Sequence, residues 1–167
     1  VLKIAVLDDW LNSAPSSADW MRLNSQFKID FYQDTIVGKA LIRRLKPYQI
    51  ICVMRERTIF DASLIRQLPN LIGIITSGMR NSSIDLEATK AKGVFVSGTS
   101  SPGHATAELA FFLIGAMARG LVTNANSMSN GGWQNHLGRD LRGATLGILG
   151  LGRLGTEVSK FGKAFSM

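Results

Sequence analysis

One glycine-rich run constrains the fold of this 167-residue chain more than any other feature. The run, Gly150-Leu151-Gly152-Arg153-Leu154-Gly155, follows the apolar stretch Thr145–Leu149 and precedes a helix-compatible segment, Thr156–Phe165. In the context of a strand, a glycine turn and a helix start, this pattern predicts dinucleotide binding, because backbone amides can then approach a pyrophosphate at the positive end of a helix dipole. The alternative is a glycine-rich strand–helix turn that binds nothing.

Twelve residues follow the last glycine of this motif. Dinucleotide-binding units usually carry an acidic residue about 20 positions further on, where it binds the ribose. The sequence therefore predicts an incomplete Rossmann unit, made of its first strand, turn and helix. We expect a cofactor cradle that these residues alone do not complete.

The first hundred residues alternate short β-rich runs with segments of helical spacing. The runs are apolar on both faces, as the strands of a covered parallel sheet are. Asp61 is placed to cap one helix, Pro69 follows the end of that helix and Gly93 ends another. This alternation predicts an α/β fold with an open, doubly wound parallel sheet. The expected strands are Lys3–Leu7, Ile29–Tyr32, Ile50–Met54, Ile72–Thr76 and Val94–Val96, and the expected helices are Ser17–Asn24, Gly38–Leu45, Asp61–Leu68 and Ser83–Ala91.

A different texture begins near residue 101. Ser101 and Pro102 form a good helix start, with a capping serine and a proline at the first helical position. The segment from His104 to about Ser127 then predicts one long helix, apolar nearly all round between Leu109 and Ala118. We expect such a helix to be buried on most sides, between domains or between subunits. Trp133–Arg142 is predicted to be a loop.

The net charge of +7 permits nucleic acid, an anionic membrane or a small anion as partner. Because Lys and Arg never form a run longer than two, a scattered basic surface explains the charge better, and we expect neither nucleic-acid nor membrane binding. The lone cysteine, Cys52, lies in an apolar run and is predicted to be a buried thiol. No signal peptide is recognisable, and Leu109–Ala118 is half the length of a membrane span, so a cytoplasmic protein is expected.

Several polar residues follow predicted strands, at the sheet edge where doubly wound folds bind ligands. Arg55 or Arg57 can clamp a substrate carboxylate or can be solvated loop charges. Gly78 lets backbone amides face an anion, and Met79 and Arg80 adjoin it.

Three further residues have weaker claims. His104 and His136, the two histidines, belong to no metal-ligand spacing, so we expect no metal site. Glu108 is the single acid within the apolar helix, where a structural hydrogen bond or an exposed face explains it best. Arg55, Arg80 and His104 are kept as weak catalytic candidates.

Stretches along the whole chain together resemble the D-isomer-specific 2-hydroxyacid dehydrogenase family. The order and spacing of these stretches are as specific as the glycine motif. They are Val53–Thr58, Leu68–Leu71, Thr76–Asp85, Thr106–Leu109, Gly131–Trp133 and Leu141–Gly155.

The resemblance implies a flavodoxin-like substrate domain over about residues 1–100 and the start of an NAD(P)-binding domain over 101–167. It implies hydride transfer between NAD or NADP and a small 2-keto or 2-hydroxy acid. The substrate carboxylate would bind near Arg55 and the amides around Gly78 and Met79. The resemblance also implies a homodimer through the 104–128 helix and the C-terminal βα unit. The cofactor residues it implies are Thr106, Gly150, Gly152, Arg153, Leu154 and Gly155.

The family's catalytic arginine, glutamate and histidine lie beyond the glycine motif and have no counterpart in these 167 residues. A full member is about twice as long, so the catalytic residues of this chain stay unknown and a truncated form unable to complete the reaction is expected. The alternative is a naturally short, repurposed homodimer that binds a small carboxylate or has a regulatory, non-redox role.

Overall fold

The computed structural model describes residues 1–23, 26–100 and 103–167. The chain divides into two compact units, Val1–Ser101 and Pro102–Met167.

The first unit is built on a five-stranded, wholly parallel sheet. Its strand order, β2-β1-β3-β4-β5, is that of the flavodoxin-like doubly wound fold, which confirms the predicted fold class. Each strand lies within two residues of its predicted position. The strands are β1 (Leu2–Val6), β2 (Phe27–Phe31), β3 (Ile50–Val53), β4 (Gly73–Thr76) and β5 (Phe95–Gly98).

Capping side chains fix the starts of two helices of this unit, α3 and α4. Asp61 accepts a hydrogen bond from the Leu64 amide at 2.7 Å, as the sequence predicts, and Asp85 accepts one from the Ala88 amide at 2.9 Å. Gly93, with φ of +73°, ends the last helix. The helices are α1 (Ala14–Ser17), a 3-10 turn (Trp20–Leu23), α2 (Gly38–Leu45), α3 (Ala62–Arg66) and α4 (Leu86–Lys92).

The predicted helix Ser17–Asn24 is wrong. Helix α1 ends at Ser17 because Ala18 adopts an extended backbone, and a 3-10 turn follows it. The end of the predicted segment, Asn24, lies outside the described residues.

Both faces of the sheet carry buried apolar side chains. In β1, Ala5 packs into a large core under α2, α3 and α4, whereas Ile4 and Val6 face a smaller core with Ala14. Cys52 lies on this second side, where burial raises the pKa of its thiol to about 11. The two-sided burial explains why the strand sequences are continuously apolar.

The second unit contains α5 (His104–Ala118), α6 (Leu121–Ser129) and α7 (Arg153–Ala164). The predicted single helix is wrong, because α5 and α6 are bent by 65° at a break. Gly120 adopts φ of +60° there, and the His136 ring lies where a side chain on Gly120 would be. The predicted Ser101–Pro102 helix start lies outside the described residues.

Helix α5 packs on α7 through one face only. Phe111 is buried, with its ring centroid 5.7 Å from that of Phe161 and 4.9 Å from that of Phe165. Phe112 and Met117 are 72% and 80% exposed in the chain, so the expected burial on most sides is not found. No described residue of the chain covers these exposed apolar side chains, so only a partner outside the described residues could bury them.

Within the described part of the chain, no single helix combines the length and apolar character needed to cross a bilayer, and α5 with α6 reaches both only as the bent pair.

Thr145–Leu149, the predicted strand before the glycine motif, pairs with no other strand among the described residues. A strand is defined by its hydrogen-bonded neighbour, and the described part of this unit supplies none. The segment instead packs through Leu146 against the buried Gly162 of α7.

Gly120→Ala is expected to destabilise the second unit by about 1–2 kcal/mol, because alanine disfavours the left-handed backbone and would meet the His136 ring. Gly115→Ala, inside α5 with open space around it, is the matched control and should stabilise by about 0.5–1 kcal/mol. Thermal unfolding followed by circular dichroism measures both, and equal effects would contradict the assigned break.

Asp9 is expected to make the free energy of unfolding depend on pH in the acidic range. Burial acts to raise the pKa of its carboxyl, but hydrogen bonds from the amides of Ala14 and Ser13 together outweigh it, so the pKa lies below the ordinary value. Stability from Asp9 is therefore complete above its unfolded pKa and is lost as pH falls through the lower folded pKa.

Asp9→Asn should cost about 1 kcal/mol at neutral pH, and the difference from wild type should shrink below about pH 4. Asp19→Asn, which removes only an exposed 3.9 Å ion pair to Arg22, should leave the pH profile unchanged. Urea unfolding at a series of pH values tests this, and a pH-independent difference for Asp9→Asn would refute it.

Candidate functional site

The parallel pairing of β3 with β4 places two loops side by side. The register pairs Val53 with Thr76, the last residues of the two strands. The chain segments that follow, beginning at Met54 and at Ser77, therefore leave the same edge of the sheet next to each other. This is the carboxyl edge, where doubly wound sheets bind ligands.

The backbone of Arg55 is held from the neighbouring loop. Its amide donates to the Ser77 hydroxyl at 3.0 Å, and its carbonyl accepts from Asn81 Nδ2 at 2.7 Å. Arg55 adopts φ of +54°, a left-handed conformation that costs an L-residue about 1–2 kcal/mol. Hydrogen bonds on both sides of the residue stabilise this conformation.

The guanidinium of Arg55 lies directly over Gly78. A Cβ atom on Gly78 would collide with the Arg55 side chain, and its φ of +103° also favours glycine. No Asp or Glu of the described residues forms an ion pair with Arg55. The site therefore presents an arginine that forms no ion pair with any carboxylate in the part of the chain that the structure describes.

Of the two backbone amides beside this arginine, one is already hydrogen-bonded within the described part of the chain and the other is not. The Gly78 amide donates to the Thr99 hydroxyl at 3.1 Å, and Gly78 itself lies against the Arg55 guanidinium. The Met79 amide takes part in no hydrogen bond among the described residues. Arg55 and Gly78 are thus brought together, with Met79 next to Gly78 in the same loop.

The other predicted arginines lie elsewhere. Arg57 donates to the Asp8 carbonyl at 2.5 Å and stacks over the Trp10 ring at 3.9 Å. These contacts give Arg57 a structural position, with one of its guanidinium N–H donors bound to the Asp8 carbonyl. Arg80 is exposed and, within the described ranges, forms no ion pair.

The glycine motif of the second unit forms a tight turn into α7. Gly150 has φ of +91°, and a Cβ on Gly155 would collide with the Gly150 carbonyl. Gly152 is the N-cap, and the Thr156 amide makes the first helical bond to its carbonyl at 2.9 Å. Amides in the first turn, such as that of Leu154, have no acceptor within the helix, so this end fits a phosphate group.

The starts of α5 and α7 lie side by side. The Arg153 guanidinium lies against Gly103, immediately before α5, so the exposed Thr106 in the first turn of α5 is at the same end of the unit as the glycine motif. Lys160, which pairs with Glu157 at 2.7 Å, lowers the pKa of that carboxyl, with a smaller contribution from His104.

The remaining candidates have structural positions. His136 lies against Gly120, and Glu108 is exposed beside an apolar cavity of about 630 Å³ lined by α5 and α7 residues. In residues 1–23, 26–100 and 103–167, no three His, Cys, Asp or Glu residues lie close enough to hold a metal ion.

Sequence reasoning did not single out the side chains that hold the backbones of Arg55 and Gly78, which are Ser77, Asn81 and Thr99. They lie 22, 26 and 44 positions from Arg55 in the sequence, and only the strand register brings them close. The one sequence signal was the position of Ser77 and Asn81 directly after a predicted strand, which also suits ordinary turn residues.

Comparison with known proteins agrees with the resemblance noted in the sequence. Residues 111–167 match the family model described as D-isomer specific 2-hydroxyacid dehydrogenase, NAD binding domain. The chain is 38% identical over 134 residues to a D-3-phosphoglycerate dehydrogenase of Archaeoglobus fulgidus, covering 77% of this chain and 25% of that protein. It is also 38% identical over 150 residues to a glyoxylate reductase of Aeropyrum pernix, covering 83% of this chain and 44% of that one.

The structural match extends over the whole chain. A phosphoglycerate oxidoreductase from Vibrio cholerae superposes with a TM-score of 0.90 at 34% identity, covering 100% of this chain and 54% of that structure. The chain belongs to the D-isomer-specific 2-hydroxyacid dehydrogenase family. Its 167 residues span less than half the length of the two curated family members named above and about half of the solved one.

In this family member, Gly155→Ala is expected to destabilise the second unit by about 1–3 kcal/mol, because the added methyl group collides with the Gly150 carbonyl. Gly147→Ala, which meets no atom within 4 Å, is the matched control and should change stability by less than about 0.5 kcal/mol. Thermal unfolding of both variants provides the measurement. A tolerated Gly155→Ala would show that the turn is looser than described.

Proposed function

We propose that this chain binds a small 2-keto or 2-hydroxy acid and a nicotinamide dinucleotide, as the substrate- and cofactor-binding part of a D-2-hydroxyacid dehydrogenase. The observation that carries the proposal is the Arg55 guanidinium, seated on Gly78 beside the Met79 amide and without an acidic partner among the described residues. Family membership supports the reaction class, and this arginine supports a carboxylate as the group that the site binds.

The proposed role of Arg55 is to hold the substrate carboxylate. A guanidinium can donate two parallel N–H groups to the two carboxylate oxygens, which fixes the orientation as well as the position of the acid. The Met79 amide adds a third donor. Because the carboxylate and the adjacent keto carbon are joined by one bond, clamping the carboxylate also fixes where the carbonyl can lie.

The proposed cofactor site is the turn from Gly150 to Gly155. The first amides of α7, those of Arg153 and Leu154, would bind the pyrophosphate of NAD or NADP, and Gly152 leaves room for its approach. Thr106 would lie towards the nicotinamide. When bound, the nicotinamide supplies or accepts the hydride, and the residues described here bind and orient the two reactants.

We further propose that the protein is a cytoplasmic homodimer. The exposed apolar side chains of α5, among them Leu109, Phe112, Leu113 and Met117, form a surface that a second copy would cover, together with the C-terminal βα unit. The single thiol, Cys52, fits a reducing compartment. Sedimentation equilibrium tests the assembly, and a monomer at micromolar concentration would contradict it.

The carboxylate site is tested by calorimetric titration with oxamate, an isosteric and non-reducible analogue of a 2-keto acid. Arg55→Met should weaken oxamate binding by about 10- to 100-fold, because a charge-assisted hydrogen bond is worth about 1.5–3 kcal/mol. Arg66→Met, in α3 and exposed, is the matched control and should leave affinity unchanged. Equal affinity of wild type and Arg55→Met would refute the role of Arg55.

Titration with NADH and NADPH, followed by nicotinamide fluorescence, separates the dehydrogenase role from the alternative. The proposal expects at least one of the two cofactors to bind. Oxamate binding without binding of either cofactor would favour the repurposed, carboxylate-binding protein, because all oxamate donors lie in the first unit.

A further inference from the structure

A buried carboxylate lies at the end of β1, close to the loop that carries Arg55. Asp8 is 1% exposed and adopts φ of +59°. Its two carboxylate oxygens accept hydrogen bonds from two hydroxyls, Oδ1 from Thr35 at 2.5 Å and Oδ2 from Thr58 at 2.7 Å. Thr58 is three residues after Arg55 in the same loop.

The same aspartate also holds the loop through its backbone. Its carbonyl accepts from the Arg57 guanidinium, which stacks on Trp10, and Trp10 Nε1 donates to the Thr35 hydroxyl at 2.8 Å. Asp8, Trp10, Thr35, Arg57 and Thr58 therefore form one closed set of contacts, the Asp8 network. It ties the loop after β3 to the chain segments that follow β1 and β2.

The Asp8 network and the loop that follows β4 hold opposite ends of the short segment 55–58. Ser77 and Asn81 bind the backbone of Arg55, while Asp8 binds Thr58 and Arg57. A left-handed non-glycine residue persists only where surrounding contacts determine it from several sides. Burying a carboxylate costs desolvation energy, and an apolar side chain at the same position would avoid this cost. Stability alone is therefore a weak explanation for a buried Asp8.

We propose that Asp8 is a positioning residue for Arg55: through Thr58 and Arg57 it fixes the loop so that the Arg55 guanidinium lies over Gly78. Asp8 itself touches no substrate. This inference rests on the proposed carboxylate site and adds to it the group that sets the direction of the arginine.

Thr58→Val tests the proposal, because valine keeps the shape of threonine and removes the hydroxyl that Asp8 accepts from. Thr58→Val should weaken oxamate binding about fivefold or more, the loss expected for one net hydrogen bond of about 1 kcal/mol. Thr58→Ser, which keeps the hydroxyl, should restore affinity to within about twofold of wild type. Asp8→Asn should behave like Thr58→Val.

The matched control is Thr89→Val. Thr89 is also buried, and its hydroxyl donates at 2.9 Å to the Leu86 carbonyl within α4, so loss of this hydroxyl should lower the melting temperature without changing oxamate affinity. If Thr89→Val weakens binding as much as Thr58→Val, Asp8 is only structural. Thr35→Val replaces Thr58→Val should the latter fail to fold.

A second readout does not depend on ligand. The backbone amide resonance of Arg55 in a ¹⁵N-labelled sample should shift or broaden in Thr58→Val and stay in place in Thr58→Ser and Thr89→Val. Wild type that binds no oxamate would overturn the proposed function alone, and the resonance would still decide the role of Asp8. An unmoved Arg55 resonance in Thr58→Val would overturn the positioning role.

Discussion

The hydrogen-bonded register between β3 and β4 is the constraint on which the candidate site depends. It places Val53 opposite Thr76, so that the Arg55 loop and the Gly78 loop leave the sheet at the same level. A shift of one residue would turn every side chain of the strand to the other face and exchange the residues that fill the two different cores. Packing against these two cores thus sets the position of a polar site beyond the strand ends.

The site is assembled from contacts that hold two non-glycine residues in a left-handed backbone conformation. Asp8 and Arg55 both adopt positive φ, and each is held by hydrogen bonds from other strands or loops. Strain of this kind is maintained by the surrounding fold and commonly occurs at functional sites. In this molecule it coincides with the arginine that lacks an acidic partner among the described residues.

Much of this fold could be predicted from the sequence, because strands covered on both faces are continuously apolar and Asp61 and Gly93 mark helix ends locally. The family resemblance also implied that Arg55, Gly78 and Met79 lie near one another. The break at Gly120 escaped prediction because the apolar pattern runs on past it and the His136 contact comes from 16 residues away. The Asp8–Thr58 bond spans 50 residues, and no local pattern distinguishes such an aspartate from a surface one.

The central claim is that a 2-keto acid carboxylate binds between Arg55 and Met79. Mapping amide chemical shifts of the ¹⁵N-labelled chain during titration with oxamate tests it most directly. The account predicts that the largest, saturable shifts occur at Arg55, Ser77, Gly78 and Met79. Saturable shifts centred on Arg57 or on the α5–α7 unit, with those four amides unmoved, would contradict it.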